Sequence, residues 1–379
     1  MSWNSVRLGD VCSKIGSGAT PKGGATVYID NGISLIRSQN VYNLEFSYDG
    51  LAHITEDAAK KLNGVTVLEN DVLLNITGDS VARTCIVPAT VLPARVNQHV
   101  AIVRPNQEEL NPLFLNYYLA SPYMQSFMLG LAVGKGASRN AMTKDMIANF
   151  EVPCPPIDVQ ESIVSILSAY DNLIRNNQKQ IKLLEEAAQR LYKEWLVDLR
   201  FPGYENTQIV DGVPEGWKRV SVTDLLTVKY GKDHKALKDG GTPVFGSGGI
   251  VRKVEPVLYS GESVLIPRKG SLNNIMYVTG DFWTIDTMFY TIPKCDNIVK
   301  LCYLYLSELD MYAYNIGAAV PSMTVQILNG IYLLLPDDCV RSHFEKTVSP
   351  LFELIRTLQV QNQQAEHARN TALSLLMES

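Results

Sequence analysis

The side chains that could support catalysis are scattered through this sequence and never form a complete catalytic pattern. Residues 111–114, Asn-Pro-Leu-Phe, resemble the Asn/Asp-Pro-Pro-aromatic stretch of a methyltransferase but lack its second proline, and a proline in the first turn of a helix explains them better. Residues 134–136, Gly-Lys-Gly, lack the upstream glycine and the hydroxyl residue of a phosphate-binding loop. Residues 336–338, Pro-Asp-Asp, suggest a nuclease motif, but the acidic and lysine partners expected on a following strand are absent. We therefore predict that the chain is not an enzyme.

The cysteines and histidines show no spacing typical of a metal site or a catalytic triad. No cysteine pair forms Cys-x-x-Cys, and no nearby histidine completes a zinc set. We expect reduced, mostly buried thiols, as in a cytoplasmic protein, and no metal in this chain. The residues concerned are Cys12, Cys85, Cys154, Cys295, Cys302 and Cys339, and His53, His99, His234, His343 and His367.

Length and composition limit the possible classes of protein. At 379 residues with 46% hydrophobic side chains, the chain is too long for one ordinary domain and apolar enough for packed cores. No apolar run approaches the roughly 20 residues of a membrane span, and residues 1–7 contain no hydrophobic signal segment, so we expect a cytoplasmic protein without a membrane segment. The net charge of −5 argues weakly against nucleic-acid binding. The globular regions are nearly neutral, however, so each can still present a basic face.

The elements that must position any functional side chain are organised around one long helical segment. From Ile163 to Trp195, apolar residues recur at alternating steps of four and three, forming a heptad seam whose one polar member is Asn177. A seam of this length corresponds to roughly 50 Å of helix, and residues 201–203, Phe-Pro-Gly, end it. A core helix within a single domain is the simpler alternative, but sustained heptads favour pairing of helix with helix.

The same seam recurs 181 residues farther on, because Phe344 stands in the place of Ile163, and Asn362 is again a polar member. Pro350 lies inside this second seam, so the second helix either kinks there or begins near it.

An antiparallel pair with fully overlapped seams would bring specific residues of the two helices together. In that register Trp195 faces Phe344 and Asn177 lies opposite Asn362. We predict that the two amides satisfy each other and fix the register of the helix pair, at some cost in stability.

Each long helical segment follows a globular α+β region rich in short strands. Strand patterns occur near residues 33–37, 72–76 and 100–104, and a helical pattern covers 113–128. Residues 204–216 form a polar linker. After it, Trp217, Val220 and Asp224 repeat the spacing of Trp3, Val6 and Asp10 at an offset of 214 residues. The same offset places Gly231 opposite Ser17. We predict pseudo-repeated domains that share a scaffold and differ in their loops, where recognition residues usually sit.

Two globular regions, each followed by a heptad helix and without a catalytic site, resemble the specificity subunit of type I restriction-modification systems. The strongest likeness lies in residues 155–163, 173–177, 184–195 and 201–204: Pro-Pro-Ile-Asp-Val-Gln-Glu-Ser-Ile, Leu-Ile-Arg-Asn-Asn, Leu-Glu-Glu-Ala-Ala-Gln-Arg-Leu-Tyr-Lys-Glu-Trp and Phe-Pro-Gly-Tyr. Residues 3–11, 36–37, 70–73 and 369–376 also look like family positions. The likeness covers the whole chain, is strong over residues 153–204 and is weak inside the globular regions.

The resemblance implies an α+β fold in which two pseudo-repeated target-recognition domains are joined by two long antiparallel coiled-coil helices. It implies a first target-recognition domain at residues 1–153, a central heptad helix at 154–203, a second domain at 204–336 and a C-terminal heptad helix at 337–379. Each domain would then read one half of a bipartite, asymmetric site in double-stranded DNA, with half-sites about one helical turn, roughly 34 Å, apart.

The resemblance also implies partners and the location of the cofactors. The expected partners are two methyltransferase subunits and, in the full complex, two restriction subunits that act as ATP-driven translocases and nucleases. S-adenosylmethionine, ATP and Mg are expected on those partners, and no cofactor is expected in this chain.

Candidate DNA contacts follow from the chemistry of the loops, since Lys and Arg suit phosphates, and Arg, Lys, Asn, Gln and Ser suit base edges. The alternative for each residue is an ordinary solvated side chain. The candidates are Lys22, Arg37, Ser38, Gln39, Asn40, Arg83, Lys135, Arg139 and Asn140 in the first domain, and Lys232, His234, Lys235, Lys238, Ser247, Arg252, Arg268, Lys269 and Asn273 in the second.

Two other functions stay open on the sequence alone. A non-DNA-binding coiled-coil assembly scaffold, whose globular halves bind protein, would show no salt-dependent affinity for DNA. An enzyme with an unrecognised site would modify its substrate without any partner.

Overall fold

The computed structural model describes residues 3–133, 141–315 and 321–377. The chain forms two compact units: the first combines residues up to 176 with those from 361 onward, and the second runs from 177 to 360. Each long helix therefore contributes one part to each unit. Lys135, Arg139 and Asn140, three of the candidate DNA contacts, lie outside the described residues.

The first unit is built around a four-stranded and a five-stranded sheet. Its elements are β1 (Ser5–Arg7), β2 (Cys12–Ser17), β3 (Tyr28–Ile29), β4 (Ile33–Ile36), β5 (Val41–Tyr42), β6 (Glu45–Phe46), β7 (Ala52–Ile54), β8 (Thr66–Val67), β9 (Val72–Asn75), β10 (Thr84–Ile86), β11 (Ala94–Val96), β12 (Val100–Pro105), β13 (Glu151–Pro153), α1 (Glu56–Lys61), α2 (Pro112–Ala120), α3 (Pro122–Ala132), α4 (Lys144–Ala148) and the first part of α5 (Ile157–Tyr192). The strand orders are β10–β9–β12–β2 and β3–β7–β4–β11–β8, with β1–β13 and β5–β6 as short ladders.

The second unit contains two four-stranded sheets. Its elements are β14 (Ile209–Val210), β15 (Val213–Pro214), β16 (Lys218–Ser221), β17 (Leu226–Tyr230), β18 (Asp239–Gly246), β19 (Gly249–Val254), β20 (Tyr259–Ser260), β21 (Ser263–Pro267), β22 (Met276–Val278), β23 (Asp281–Thr284), β24 (Met288–Pro293), β25 (Tyr332–Leu335), α6 (Val222–Leu225), α7 (Val299–Glu308), α8 (Val325–Asn329), the rest of α5 and the first part of α9 (Asp338–Met377). The strand orders are β17–β24–β21–β22 and β19–β18–β23–β20, with β14–β15 and β16–β25 as short ladders.

The helical pattern predicted over residues 113–128 is two helices rather than one. Ser121 separates them because its hydroxyl accepts a hydrogen bond from Met124 N at 3.3 Å and so caps α3. Pro122 then occupies the first turn of α3 and has no N–H with which to extend α2. As expected, Pro112 occupies the first turn of α2, whose first N–H groups bond to the Asn111 side chain.

The nuclease-like stretch at residues 336–338 is a helix cap. Asp337 Oδ1 accepts hydrogen bonds from Cys339 N and Val340 N at 2.8 and 3.0 Å, at the start of α9. α9 continues through Pro350 to its end at Met377, so the second heptad helix does not begin at the proline.

The two long helices run antiparallel, as predicted. In the first unit, the start of α5 and the end of α9 share one core, and Arg369 Nη1 lies 2.5 Å from Asp171 Oδ1. In the second unit, the Trp195 ring at the turn that follows α5 lies 5.6 Å from the Phe344 ring near the start of α9, which is the predicted pairing.

The heptad seam of the first helix is buried or half-buried along its length. Its polar member Asn177 is 2% exposed, and Asn362 in the other seam is 9% exposed. Pairing of these two amides stays a prediction.

The pseudo-repeat extends to individual backbone hydrogen bonds. Four bonds of 2.8 to 3.0 Å recur at equivalent places in the two units. In the first unit they are Gly18 N to Val100 O, Ala19 N to Val96 O, Ile76 N to His99 O and Asn97 N to Ile36 O. Their counterparts in the second unit, in the same order, are Gly231 N to Met288 O, Lys232 N to Thr284 O, Arg268 N to Thr287 O and Ile285 N to Phe245 O. These bonds align Gly231 with Gly18, one residue away from the Ser17 expected from the sequence offset.

The two aligned glycines are required by a close backbone approach. A Cβ on Gly18 would lie 2.1 Å from Val96 O, and a Cβ on Gly231 would lie 2.0 Å from Ile285 O. Any side chain at either position would therefore push the neighbouring loop away. Glycine here preserves the hydrogen bonds that gather the loops.

An ion cluster centred on the buried Lys300 joins α7 to α9 in the second unit. Lys300 Nζ lies 2.7 Å from Glu262 Oε1 and 2.6 Å from Glu345 Oε1. Burial alone would lower the pKa of Lys300, but the hydrogen bonds to the two carboxylates outweigh it, so the pKa is raised. Tyr277 donates a further hydrogen bond to Glu262 at 2.5 Å. The cluster helps to fix α9 on the globular part of this unit.

Candidate nucleic-acid interface

Each unit gathers four loops that follow the carboxyl ends of its strands, and the repeated backbone hydrogen bonds join these loops. We call residues 18–22, 36–50, 76–83 and 96–99 the first loop cluster. The second loop cluster comprises residues 231–238, 245–251, 268–274 and 284–287. The strands that precede these loops are β2, β4, β9 and β11 in the first unit and β17, β18, β21 and β23 in the second. Because the loops of both clusters follow corresponding strands of the two units, the two clusters are structurally equivalent.

The second loop cluster exposes a group of lysines. Lys232, Lys235, Lys238 and Lys269 are all exposed. Asp233 is the acidic residue in the stretch that carries Lys232, Lys235 and Lys238. Lys235 N donates a hydrogen bond to its carboxylate at 3.1 Å. Such backbone hydrogen bonds lower the pKa of Asp233, so it stays ionised and holds the turn. The surface is suited to an anionic ligand.

Arg268 is held in a fixed orientation within the second loop cluster. Its guanidinium carbon lies 4.6 Å from the centre of the Tyr230 ring and 5.3 Å from that of Phe289. Its Nη1 donates a hydrogen bond to Asp286 O at 2.7 Å. A stacked, half-exposed guanidinium is pre-organised for planar, bidentate recognition.

Arg252 and Asn273, two further candidates, mainly hold their own loops together. Arg252 Nη2 donates to Asp239 Oδ1 at 2.5 Å and to Leu237 O at 3.0 Å, which ties β19 to the loop of residues 231–238. Asn273 Oδ1 accepts a hydrogen bond from Met311 N at 2.7 Å. His234 and Ser247 are half-buried between these loops.

Arg37, Gln39 and Asn40 brace the loop of residues 47–50 in the first loop cluster. Arg37 Nη2 donates to Gly50 O at 2.6 Å, and Gln39 Nε2 donates to the same oxygen at 3.3 Å. Asn40 is 0% exposed and donates to Ser47 O at 3.0 Å. Its side chain can therefore reach a ligand only if this loop opens, whereas Gln39 is exposed and Arg37 half-exposed.

The remaining candidates of the first loop cluster differ in their surroundings. Arg83 lies over the exposed Tyr42 ring, 4.6 Å from its centre. Lys22 is exposed, and Ser38 is half-buried with its carbonyl oxygen accepting a hydrogen bond from Asn75 Nδ2 at 2.8 Å. The first loop cluster is thus less basic than the second.

Several residues in or next to the loop clusters were not predicted from the sequence. Tyr42 and Tyr230, 42% and 53% exposed, stack on arginines that come from other loops. His99 Nδ1 lies 2.6 Å from Thr77 Oγ1, and the exposed Gln98 lies beside it. No local sequence pattern predicts the two Tyr–Arg pairs or the Thr77–His99 pair, because their members are distant along the chain.

Two features of the described part of the chain concern metal binding and membrane insertion. Among residues 3–133, 141–315 and 321–377, no three His, Cys, Asp or Glu side chains come together in a way that could hold a metal ion. Within the same ranges, no helix is both long and apolar enough to cross a membrane.

Comparison with known proteins gives consistent matches along the chain. A family model described as the type I restriction modification DNA specificity domain matches residues 1–186 and 214–366. The type I restriction enzyme MjaIX specificity subunit of Methanocaldococcus jannaschii is 23% identical, covering 99% of this chain and 92% of its own length. The EcoBI specificity subunit of Escherichia coli is 29% identical over 36% of this chain and 28% of its own length.

Among solved structures, the type I restriction-modification S subunit from M. genitalium matches with a TM-score of 0.58 at 15% identity. The match covers 100% of this chain and 96% of that one, which shows a shared fold. The matched ranges contain most of both globular regions and most of the helix that follows each, although α5 and α9 extend beyond residues 186 and 366. The chain therefore belongs to the family of type I restriction-modification specificity subunits.

Proposed function

We propose that this chain is the non-catalytic, DNA-reading subunit of a methyltransferase complex, and that each loop cluster reads one half of a bipartite site. The observation that supports this most is the repeated scaffold, in which equivalent backbone hydrogen bonds hold both loop clusters while the side chains on them differ. A constant scaffold beneath different loops is suited to reading two different sequences. The proposed site is therefore asymmetric.

In the second loop cluster, the exposed lysines contact phosphates and Arg268 contacts a base. Flexible lysine side chains act as point charges, which suits phosphate contacts. The stacked guanidinium of Arg268 has the geometry for guanine O6 and N7 in the major groove. The phosphate contacts proposed here are Lys232, Lys235, Lys238 and Lys269, with His234 and Ser247 as further candidates.

In the first loop cluster, Arg37 and Gln39 are the proposed base contacts, because Gln39 is exposed and Arg37 half-exposed while each is steadied by one hydrogen-bonding nitrogen on Gly50 O. Lys22 and Arg83 are proposed to contact phosphates, and Ser38, Lys135, Arg139 and Asn140 remain candidates. Asn40, Arg252 and Asn273 are proposed to act by holding the loops in place, since Asn40 is buried and Arg252 and Asn273 each use two polar side-chain atoms in hydrogen bonds within the protein.

The long helices are proposed to dock two methyltransferase subunits and, in a restriction complex, two translocase–nuclease subunits. Ile166 and Leu173, one heptad apart on α5, are 48% and 44% exposed, and such apolar side chains on a coiled-coil surface support a protein-binding role. S-adenosylmethionine, ATP and Mg are carried by these partners. Asn177 and Asn362 are proposed to fix the register of the helix pair.

The experiment that tests this function is a methylation map. The chain is co-expressed with a methyltransferase subunit of the same restriction-modification system, and methylated bases are located across the host genome. A split, asymmetric motif that disappears when this chain is omitted is the expected result. An active methyltransferase that gives no motif would favour the alternative of a coiled-coil assembly scaffold, as would the absence of salt-dependent DNA binding.

A further inference from the structure

The hairpin formed by β18 and β19 carries an irregularity at its tip that changes which side chains it presents. Val244 pairs with Arg252, and Phe245 pairs with Ile250, so Val251 is an extra residue with no partner on the opposite strand. A bulge of this kind bends the strand and re-aims the neighbouring side chains, and bulges are common next to functional sites.

The bulge presents two aliphatic side chains to solvent. Ile250 is 51% exposed and Val251 is 53% exposed. Gly246 on the opposite strand has no side chain to cover them, and a Cβ there would lie 3.1 Å from both Val251 Cγ1 and Ile285 Cδ1. Val251 therefore projects beside the loop of residues 284–287, within the second loop cluster.

The hairpin tip lies between the two basic loops of this cluster. On one side, Arg252 Nη2 bonds to Leu237 O at 3.0 Å and ties the hairpin to the loop that carries Lys232 and Lys235. On the other side, Asn274 Nδ2 bonds to Ser247 O at 2.8 Å and joins the tip to the loop that follows Arg268. The two exposed aliphatic residues are thus flanked by cations on both sides.

The charge around the tip limits what can cover it. Exposed lysines would repel a basic partner and would stay poorly solvated against a purely apolar one. A polyanion that also offers small apolar groups is the complementary ligand. In double-stranded DNA, phosphates supply the charge and the thymine C5-methyl supplies an apolar group in the major groove.

We propose that Ile250 and Val251 contact thymine C5-methyl groups in the major groove of the second half-site. The inference rests on the proposed function, because it requires the second loop cluster to lie on DNA. It adds apolar contacts to the polar ones expected there and makes the hairpin tip a determinant of specificity. Removing one buried methyl group is expected to weaken binding about fourfold.

The test uses the complex of this chain with its methyltransferase and a duplex that carries the mapped motif. Each thymine of the second half-site is replaced in turn by deoxyuridine, which lacks the C5-methyl group but keeps the same hydrogen bonds. At one or two positions, deoxyuridine is expected to weaken binding by the wild-type complex about fourfold. The double variant Ile250→Ala, Val251→Ala is expected to bind the thymine duplex more weakly and to be indifferent to deoxyuridine at those positions.

A matched control is available on another hairpin of the same unit. Ile209 and Val210 on β14 are 46% and 57% exposed, and they lie outside the second loop cluster. The variant Ile209→Ala, Val210→Ala removes the same groups and is expected to keep both the affinity and the response to deoxyuridine. Far-ultraviolet circular dichroism checks that both double variants fold.

The possible outcomes separate the inference from the proposed function. If the wild-type complex binds the motif no better than an unrelated duplex, DNA reading itself fails. If specific binding is intact but deoxyuridine has no effect anywhere in the second half-site, or that half-site contains no thymine on either strand, the hairpin contact is wrong. Retention of the full deoxyuridine effect by the Ile250→Ala, Val251→Ala variant would also overturn it.

Discussion

Gly18→Ala is expected to destabilise the first unit, whereas Gly16→Ala, two residues earlier on β2, should be tolerated. A Cβ on Gly18 would lie 2.1 Å from Val96 O and 2.3 Å from Asn97 O, whereas a Cβ on Gly16 meets no atom within 4 Å. Relief of the clash requires the backbone to move by about 1 Å, and overpacking of this kind costs about 1–3 kcal/mol. At Gly16, a methyl group instead restricts the unfolded chain, which stabilises by about 0.4–1 kcal/mol.

Calorimetric unfolding of the purified chain measures this difference. For a unit of this size, 1–3 kcal/mol corresponds to a Tm lower by roughly 2–12 °C. The movement would also displace residues 96–99 from the first loop cluster, so Gly18→Ala should weaken recognition of the first half-site only. Equal Tm values for Gly18→Ala and Gly16→Ala would refute the argument that the close approach requires glycine.

Two further predictions concern the second unit. Lys300→Met is expected to lower the free energy of unfolding of the second unit by about 3 kcal/mol, because Glu345 is left without its counter-ion. As a control, Lys218→Met at an exposed position should change this free energy by less than about 0.5 kcal/mol. Because the pKa of Lys300 is raised in the folded protein, its contribution is complete at neutral pH and is lost as the pH rises through the folded pKa, above about 10.5. Denaturant unfolding from pH 7 to 12 measures both effects, and a difference between wild type and variant that does not shrink at high pH would contradict the assignment. Lys232→Ala and Lys235→Ala are each expected to reduce the slope of log affinity against log salt concentration by about 0.9, and unchanged slopes would exclude these phosphate contacts.

The long helices were predictable because their signal is local and repeated. Heptad spacing fixes which face of a helix is buried, and the Trp195–Phe344 pairing followed directly from overlapping the seams. The break between α2 and α3 at Ser121 was not predicted. The residues on both sides are apolar, and the cap of α3 depends on a single hydroxyl group, that of Ser121. Local caps also explain the stretches that resembled catalytic motifs, at Asn111 and Asp337.

The loop clusters were only partly predictable. Lys232, Lys235 and Lys238 could be proposed as DNA contacts from the sequence, because closely spaced lysines indicate a basic surface. The bracing roles of Asn40 and Arg252 depend on carbonyl groups of other loops, which no short pattern reveals. The alignment of Gly231 with Gly18 was missed by one residue, because the sequence similarity fades where backbone hydrogen bonds alone preserve the repeat.

The most direct test of the central claim is a domain exchange. Residues 217–335, which contain the second loop cluster, are replaced by the corresponding region of a relative with a different methylation motif, and the host genome is mapped again. We predict that one half of the motif changes to that of the donor while the other half and the spacer stay the same. A motif that changes in both halves, or that does not change at all, would contradict the claim that each unit reads its own half-site.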